Sequence, residues 1–277
     1  MSALRAAVIQ MRSGIDRSAN LDAATRLVRD AARDGARLVL TPEMTTLLDK
    51  RRERLLASAA EPQPDEDAAF AALSRELGVT IVLGSRPAPV PGGGKVANRS
   101  AVFFEGRRVA VYDKIHLFDV DLDTGESWRE SKLFEAGDTA ALVELPDVRI
   151  GLSVCYDVRF PWLYRTLAQA GAQVLTVPAA FTVPTGKAHW EVLLRARAIE
   201  TGSFLMAAAQ GGEHEDGRVT YGHSMIVSPW GEVLDMLPHD EPGIAAVELD
   251  LGKVAEFRQR IPSLALERTA ATHIYNP

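Results

Sequence analysis

Apolar positions recur along this chain in two patterns, one helical and one typical of buried strands. Between residues 18 and 34 they fall at the three- and four-residue spacing of an amphipathic helix, with Gly35 placed to end it. Similar signals predict helices over 46–59, 65–77, 161–170, 187–202 and 251–260. Short apolar runs bounded by turn residues predict strands within 4–11, 36–43, 80–85, 99–114, 141–155, 172–180, 203–210, 223–229 and 245–250.

The order of these elements indicates the fold class. Strands alternate first with helices and later with hairpins, which turn at Glu105-Gly106 and near Pro146-Asp147. This order predicts an α/β protein with mixed sheets, because every pair of parallel strands needs a crossover and hairpins do not provide one. No internal repeat or linker divides the sequence, so we predict one domain over residues 1–277. The segments 87–95 and 116–138 follow neither pattern. The first is predicted to be a surface loop, and the second a long excursion of the kind used for binding.

Composition and charge narrow the classes of function. The net charge is −6, and basic residues are scattered except for the run 50–54, which a glutamate interrupts. We therefore expect no nucleic-acid binding, which needs a concentrated basic surface. The longest uncharged run, 166–186, contains prolines and glycines and favours a strand with turns over a membrane span. The first residues lack a signal-peptide pattern, and the single cysteine cannot form an intramolecular disulfide. We therefore expect a cytoplasmic protein with no membrane partner.

That single cysteine, Cys155, is a candidate nucleophile. It ends the strand-like run VRIGLSV, and a helix is predicted to start about six residues later. The unpaired N–H groups at a helix N-terminus favour a thiolate, so we expect some thiolate character here. The stretch alone fits a small buried core residue equally well. A cysteine nucleophile needs a proton acceptor, usually histidine. None of the six histidines forms a local signature with Cys155, and none shows metal-ligand spacing.

Two other predicted strands end in charged residues. Glu43 follows Pro42 at the end of LVLTPE, and Lys114 ends VAVYDK. Each residue alone is typical of a solvated strand end. If the three strands are neighbours in the sheets, Glu43, Lys114 and Cys155 can meet at one edge.

The segments TPEM, YDKIHLFD and SVCYDVRFP, in this order and spacing, resemble the Glu-Lys-Cys signatures of the nitrilase, or carbon–nitrogen hydrolase, superfamily. The resemblance covers nearly the whole chain. The segments PAAFTVPTGKAHWEVLLRARAIETG and YGHSMIVSPWGEV are similar to the branch that contains deaminated-glutathione amidases and omega-amidases. The resemblance to the superfamily implies a four-layer α-β-β-α sandwich of mixed sheets, usually assembled into a homodimer. It also implies hydrolysis of a small-molecule amide with no cofactor and no metal.

The resemblance also implies roles for individual residues. Cys155 attacks the amide carbonyl, Glu43 moves protons, and Lys114 with the backbone N–H of Tyr156 holds the oxyanion. Glu130 matches the second glutamate of the family, although Glu126 lies only four residues earlier.

The branch implies a substrate whose far end is a 2-oxo acid. Its carboxylate requires a cation or a helix N-terminus. Arg159 and Lys187 are the candidate cations, and Thr182 and Thr185 are candidates for the pocket lining. His214 is predicted to be solvated, in a loop that could cover the pocket.

Several functions remain open on the sequence. The first is hydrolysis of deaminated glutathione to 2-oxoglutarate and cysteinylglycine, and the nearest alternative is an omega-amidase that acts on 2-oxoglutaramate. A true nitrilase or another amidase of the superfamily would use the same residues. A cysteine–histidine peptidase would instead depend on a histidine and tolerate Lys114→Ala. The last alternative is a catalytically silent, dimeric binding protein.

Overall fold

The computed structural model describes residues 3–60, 64–121, 125 and 127–275. In chain order, its strands are β1 (Leu4–Gln10), β2 (Leu38–Leu40), β3 (Thr80–Pro89), β4 (Val96–Phe104), β5 (Arg107–Asp113), β6 (Asp119–Asp121), β7 (Ser127–Arg129), β8 (Phe134–Glu135), β9 (Leu142–Glu144), β10 (Arg149–Gly151), β11 (Val174–Thr176), β12 (Phe204–Ala207), β13 (Gly211–Glu213), β14 (Val219–Tyr221), β15 (Met225–Val227), β16 (Val233–Met236) and β17 (Gly243–Leu249). The helices are α1 (Arg17–Arg33), α2 (Arg52–Ala60), α3 (Pro64–Leu77), α4 (Pro161–Gln169), α5 (Val183–Thr201) and α6 (Gly252–Arg260), with short 3-10 turns at Glu130–Lys132 and Cys155–Arg159.

The strands form two large mixed sheets. The first has the order β17-β1-β2-β3-β4-β5, with β8 added beside β4. The second has the order β16-β15-β12-β11-β10-β9. In each sheet three central strands are parallel and the outer ones antiparallel, except β8, which pairs parallel with β4. The parallel strands follow crossovers through helices, whereas the antiparallel ones follow shorter connections, as the order of elements predicts.

The side chains of the first sheet alternate between two cores. Ala6 and Val8 of β1 pack in the core that also contains residues of the second sheet, whereas Ala7 and Ile9 pack against α1 and α3. This is the two-residue period of a strand buried on both faces. Helices α4 and α5 add their apolar residues, such as Leu163 and Leu194, to the core around the second sheet. The layers are therefore α-β-β-α, which confirms the predicted fold class.

The structure corrects several predicted bounds. The helix expected from residue 46 begins only at Arg52, because the backbone before it is held by distant partners. Thr45 N–H donates to Ser85 O over 2.9 Å, and Leu48 N–H donates to Gly14 O over 3.1 Å. The predicted loop 87–95 is partly strand, since β3 continues to Pro89 and pairs there with β4. Helix α5 begins four residues earlier than expected, at Val183, with Pro184 in its first turn, where a missing N–H costs nothing.

The ends of several strands meet on one side of the molecule. Strands β2 and β5 of the first sheet lead to Glu43 and Lys114, and β10 of the second sheet leads to Cys155. From the long excursion 116–138, the described residues 116–121 and 127–138 lie at this edge, with β6 paired to β7 and followed by the 3-10 turn that starts at Glu130. Ligands commonly bind at the carboxyl ends of strands in such sheets, so a binding site is expected at this edge.

Candidate active site

A cavity of about 310 Å³ opens at this edge. Its lining includes Glu43, Lys114, Glu130 and Cys155. The structure therefore brings together the four residues predicted to carry the chemistry, although they come from separate segments of the chain. The alternative second glutamate, Glu126, lies outside the described residues.

Lys114 is clamped between two carboxylates. Its Nζ donates to Glu43 Oε1 over 3.0 Å and to Glu130 Oε1 and Oε2 over 2.9 and 2.8 Å. Glu43 Oε2 accepts from the Ala180 N–H over 2.8 Å, and Glu130 Oε2 accepts from the Phe118 N–H. Backbone donors from two different loops thus fix both carboxylates, so the ammonium is held in one position.

Asn98 is a site residue that sequence reasoning missed. Its Nδ2 donates to Glu43 Oε1 over 2.8 Å and to Glu130 Oε1 over 3.2 Å, and the side chain is fully buried. Two carboxylates held around one ammonium leave an excess of acceptors, and Asn98 supplies a neutral donor to both. The available signal was the polar run Asn98-Arg99-Ser100 within a strand, because a buried amide needs partners.

Cys155 lies in a strained backbone conformation. Its φ is 50°, in the left-handed region, and its N–H donates to Pro178 O over 2.8 Å. It is the first residue of the 3-10 turn Cys155–Arg159, directly after β10 and a short extended segment. A non-glycine residue in this region costs about 1 kcal/mol or more and persists only where the surroundings enforce it. Cys155 and Glu43 line the same cavity, and the charge of Glu43 acts on the thiol.

This strain gives a stability prediction. We expect Cys155→Gly to be more stable than Cys155→Ala by roughly 0.5–1 kcal/mol, because glycine adopts the left-handed conformation without steric cost. Both variants lose the sulfur, so the difference between them isolates the free-energy cost of the left-handed backbone conformation at residue 155. Urea unfolding monitored by circular dichroism measures it. The strain would be refuted by an alanine variant that is the more stable of the two.

The charges around the thiol set its protonation. Burial raises the pKa of Cys155, the charge of Glu43 raises it further, and Lys114 only partly opposes them, so the pKa lies well above 9.0. Burial by itself would raise the pKa of Glu43, but the charge of Lys114, the interaction with the Cys155 thiol and the hydrogen bond from Asn98 leave it below 4.5. The resting pair is therefore a thiol beside a carboxylate. The expected thiolate character of Cys155 is wrong, because burial and the nearby carboxylate outweigh Lys114 and the Ala180 N–H, which favour the thiolate.

Burial acts to lower the pKa of Lys114, but Glu130 and Glu43 outweigh it and raise the pKa well above 10.5. Lys114 is thus an ammonium at neutral pH. A protonated lysine can donate to a developing oxyanion, but it cannot act as a base.

Asp157 is a second residue that sequence reasoning missed. It is fully buried, and its carboxylate accepts from Tyr112 Oη over 2.7 Å and from Val154 N–H over 2.8 Å. It also accepts from the His116 N–H over 3.0 Å, while His116 Nδ1 lies 2.6 Å from Oδ1. Asp157 therefore joins the turn of Cys155 to the end of β5 and to the segment after Lys114. It fixes the distance between nucleophile and ammonium.

The four predicted substrate-binding residues divide into two groups. Thr182 and Thr185 line the cavity, with their hydroxyls 2.8 Å apart. Lys187 is exposed on α5 and does not line it. Arg159 does not line the cavity either. Its guanidinium carbon lies 5.8 Å from the ring centre of Tyr156 and 5.5 Å from that of Phe181, and both of these rings line the cavity.

No histidine of the described chain lines the cavity. His214, predicted to be solvated, is buried: its Nδ1 lies 2.8 Å from Ser13 O and its Nε2 lies 2.7 Å from Thr220 Oγ1. Burial lowers its pKa. The loop that carries His214 is therefore pinned to the body of the fold.

Among the residues that the structure describes, no group of three or more histidine, cysteine, aspartate or glutamate side chains could hold a metal ion. Among the helices with assigned positions, none is both long and apolar enough to cross a membrane.

Comparison with known proteins gives consistent matches. A model of the carbon–nitrogen hydrolase family matches residues 5–259. A deaminated glutathione amidase from Synechocystis sp. is 42% identical over 263 residues, 94% of this chain and 96% of that protein. The omega-amidase NIT2 of Homo sapiens is 36% identical over 271 residues, 97% of this chain and 96% of that protein. The crystal structure of the C. elegans NitFhit protein superposes with a TM-score of 0.90 at 34% identity; the match covers 97% of this chain and 66% of that one.

Proposed function

Because the chain belongs to the carbon–nitrogen hydrolase family, we propose that this amidase cleaves a linear amide through a thioester on Cys155, and that deaminated glutathione is its substrate. The products would be 2-oxoglutarate and cysteinylglycine. The observation that carries the chemistry is the shared cavity lining of Cys155, Glu43 and Lys114, in which the Glu43 carboxylate accepts from Lys114 Nζ over 3.0 Å.

In the proposed first half-reaction, Cys155 Sγ bonds to the amide carbon while its proton passes to Glu43. The carbonyl oxygen becomes an oxyanion. As the C–N bond breaks, Glu43 returns the proton to the leaving nitrogen, and a thioester remains. In the second half-reaction Glu43 takes a proton from water, whose oxygen attacks the thioester carbon. The carboxylic acid leaves and the thiol regains its proton.

The oxyanion would be held by Lys114 Nζ and by the backbone N–H of Tyr156, the second residue of the 3-10 turn. One preorganised donor contributes about 3–4 kcal/mol to such a transition state. Lys114 is suited to this role because both carboxylates hold it in place before the charge develops. Glu130 would act on Lys114 by fixing its position.

The protonation of the site gives a pH prediction. Activity requires an ionised Glu43, whose pKa lies below 4.5, and a protonated thiol, whose pKa lies well above 9.0. Lowering the pH through the Glu43 pKa protonates the base. Raising the pH through the thiol pKa deprotonates Cys155, so that Glu43 no longer has a thiol proton to accept. We therefore expect kcat/KM to be flat from about pH 5 to pH 9, with no step near 6.5 where a histidine titrates.

The cysteine–histidine peptidase makes the opposite prediction. Its profile would fall on the acid side with a midpoint near the histidine value, about 6.5. That result would refute the Glu43 assignment. A deaminated-glutathione assay in overlapping buffers of constant ionic strength makes the measurement.

Deaminated glutathione is preferred over 2-oxoglutaramate because the amidase named for it is more similar to this chain, 42% against 36% identical. Arg159 would pair with the 2-oxo carboxylate, since its guanidinium is already held against the rings of Tyr156 and Phe181. Thr182 and Thr185 would line the acyl pocket. Lys187 stays a weaker candidate, because it is exposed and lies outside the cavity lining.

Parallel assays test the substrate. Purified protein is given deaminated glutathione, 2-oxoglutaramate or a simple nitrile, and products are followed by mass spectrometry. The same spectra of the intact protein record any acyl mass on Cys155. A higher kcat/KM on 2-oxoglutaramate would replace the proposed substrate with the omega-amide and leave the chemistry intact.

We also propose that the chain forms a homodimer in the cytoplasm. Val192 and Ile199, seven residues apart on one face of α5, are 68% and 45% exposed, and Trp162 and Trp230 are also exposed. Apolar groups of this size are commonly covered by a second subunit. Light scattering after gel filtration tests the dimer. The location is supported by the free thiol, which a reducing compartment preserves.

A further inference from the structure

The cavity has cationic lining beyond the four residues of the proposed chemistry. Lys50 follows the segment of Glu43, and Arg218 directly precedes β14; both line the cavity. The segments that carry the two cations are neighbours in space. Lys50 Nζ lies 3.5 Å from the position that a Cβ on Gly217, the residue before Arg218, would occupy.

These lining cations differ in how far they are already neutralised. Arg129 also lines the cavity, but Asp121 holds it through two contacts of 2.8 Å. Arg218 Nε donates to the buried Asp216 over 2.6 Å, which leaves its terminal nitrogens without a partner among the described residues. Lys50 has neither an ion pair nor a hydrogen bond within that same part of the chain. It is therefore the lining cation that is most available to an anion.

The acidic groups nearby are engaged elsewhere. Asp49 lines the cavity beside Lys50, but its carboxylate accepts from the Arg54 guanidinium and from the Arg51 N–H. Asp216 is committed to Arg218. The turn that carries both Asp216 and Arg218 is anchored by the buried His214. A ligand anion would thus meet Lys50 and Arg218 in a segment that is already ordered, which lowers the entropic cost of binding.

We propose that Lys50, with Arg218, binds the carboxylate at the far end of the leaving group, so that the enzyme selects an acylated dipeptide with a free C-terminus over a primary amide. This inference rests on the proposed function and names its specificity determinant. The cleaved amide of such a substrate lies between two carboxylates, and the chain offers one cation to each: Arg159 for the 2-oxo acid and Lys50 for the dipeptide. An omega-amide has ammonia as its leaving group and leaves Lys50 unused.

The test compares three substrates: 2-oxoglutaryl-cysteinylglycine, the same compound with a C-terminal carboxamide, and 2-oxoglutaramate. We expect wild-type kcat/KM to be about fivefold higher for the free acid than for its carboxamide, the range of a partly exposed ion pair. Lys50→Met should remove this preference by raising KM for the acid, and Lys50→Glu should reverse it. Lys50→Met should leave kcat/KM for the carboxamide and for 2-oxoglutaramate unchanged. The exposed Lys253, on α6 and outside the cavity lining, provides the matched control Lys253→Met.

The outcomes separate the inference from the function it rests on. If wild type turns over acid and carboxamide equally, or if Lys50→Met lowers both equally, the inference is refuted and the amidase stands. If wild type cleaves neither dipeptide derivative, the proposed substrate fails and the inference fails with it. A preference that weakens with added salt and disappears in Lys50→Met supports the inference.

Discussion

Replacing Cys155 with alanine should abolish amide hydrolysis, with a loss of on the order of 10⁵-fold or more in kcat, as for removal of other enzyme nucleophiles. The reason is that Glu43 and Lys114 act on a bond that only the sulfur can form. Without the thiol no thioester forms, and the intact protein should carry no acyl mass after incubation with substrate. Product formation under saturating substrate and intact mass spectrometry measure the two effects on one sample.

Binding provides the control for this variant. Alanine keeps the turn and leaves Arg159, Thr182 and Thr185 in place, so calorimetry should still detect the substrate. Loss of turnover with retained binding assigns the chemistry to the sulfur. Turnover above about 1% of wild type, far more than nucleophile removal allows, would refute the nucleophile. If wild type itself binds the amides without cleaving them, the silent binding protein is the correct function.

The fold followed from the sequence where the signal was local. The turn at Glu105-Gly106 illustrates this, because both residues adopt positive φ values, 49° and 79°, as a two-residue hairpin requires. Glu43, Lys114 and Cys155 were found in the same way. Each ends an apolar run, and a run that stops at a charged or reactive residue marks a strand end. Their order and spacing then matched a family signature.

The rest of the site depends on contacts that no local pattern records. Asn98 meets Glu43 across 55 positions of sequence, and Asp157 meets Tyr112 across 45. The start of α2 was mispredicted because tertiary hydrogen bonds to Ser85 and Gly14 replace a helical turn. The protonation of Cys155 was also mispredicted, because its pKa is raised by burial and by the charge of Glu43, more than a hundred residues away.

The charge of the site explains why the substrate needs cations elsewhere. Two carboxylates, one ammonium and a neutral thiol leave one net negative charge at the reacting atoms. An anionic 2-oxo acid is repelled by that charge unless another group holds it. Neither Arg159 nor Lys50 is among the hydrogen-bond partners of Glu43, Glu130 and Lys114, so in the proposal they would bind carboxylates without disturbing the protonation on which catalysis depends.

Lys114→Met should cost about 3–5 kcal/mol in the free energy of unfolding at neutral pH, because it leaves buried carboxylates without their cation. Glu43 is 5% exposed, and Glu130 faces the same ammonium. Activity should fall by at least about 10³-fold, since one oxyanion donor is worth nearly that much and the Glu43 pKa rises as well. Urea unfolding and deaminated-glutathione turnover measure the two losses.

The pH dependence and two further variants distinguish this electrostatic cause from simple loss of packing. In Lys114→Met burial raises the pKa of Glu43 without the opposing charge of Lys114, so protonation of Glu43 stabilises the folded state below that pKa, and this stabilisation is lost as the pH rises. The stability deficit should therefore shrink toward pH 5. Adding Glu43→Gln to Lys114→Met should recover part of the stability deficit at neutral pH, because the double variant buries one carboxylate charge fewer than Lys114→Met alone. Lys132→Met, the same change at an exposed residue of the Glu130 turn, should stay within about 0.5 kcal/mol of wild type. A deficit that is independent of pH and is not relieved by Glu43→Gln would mean that Lys114 only fills space.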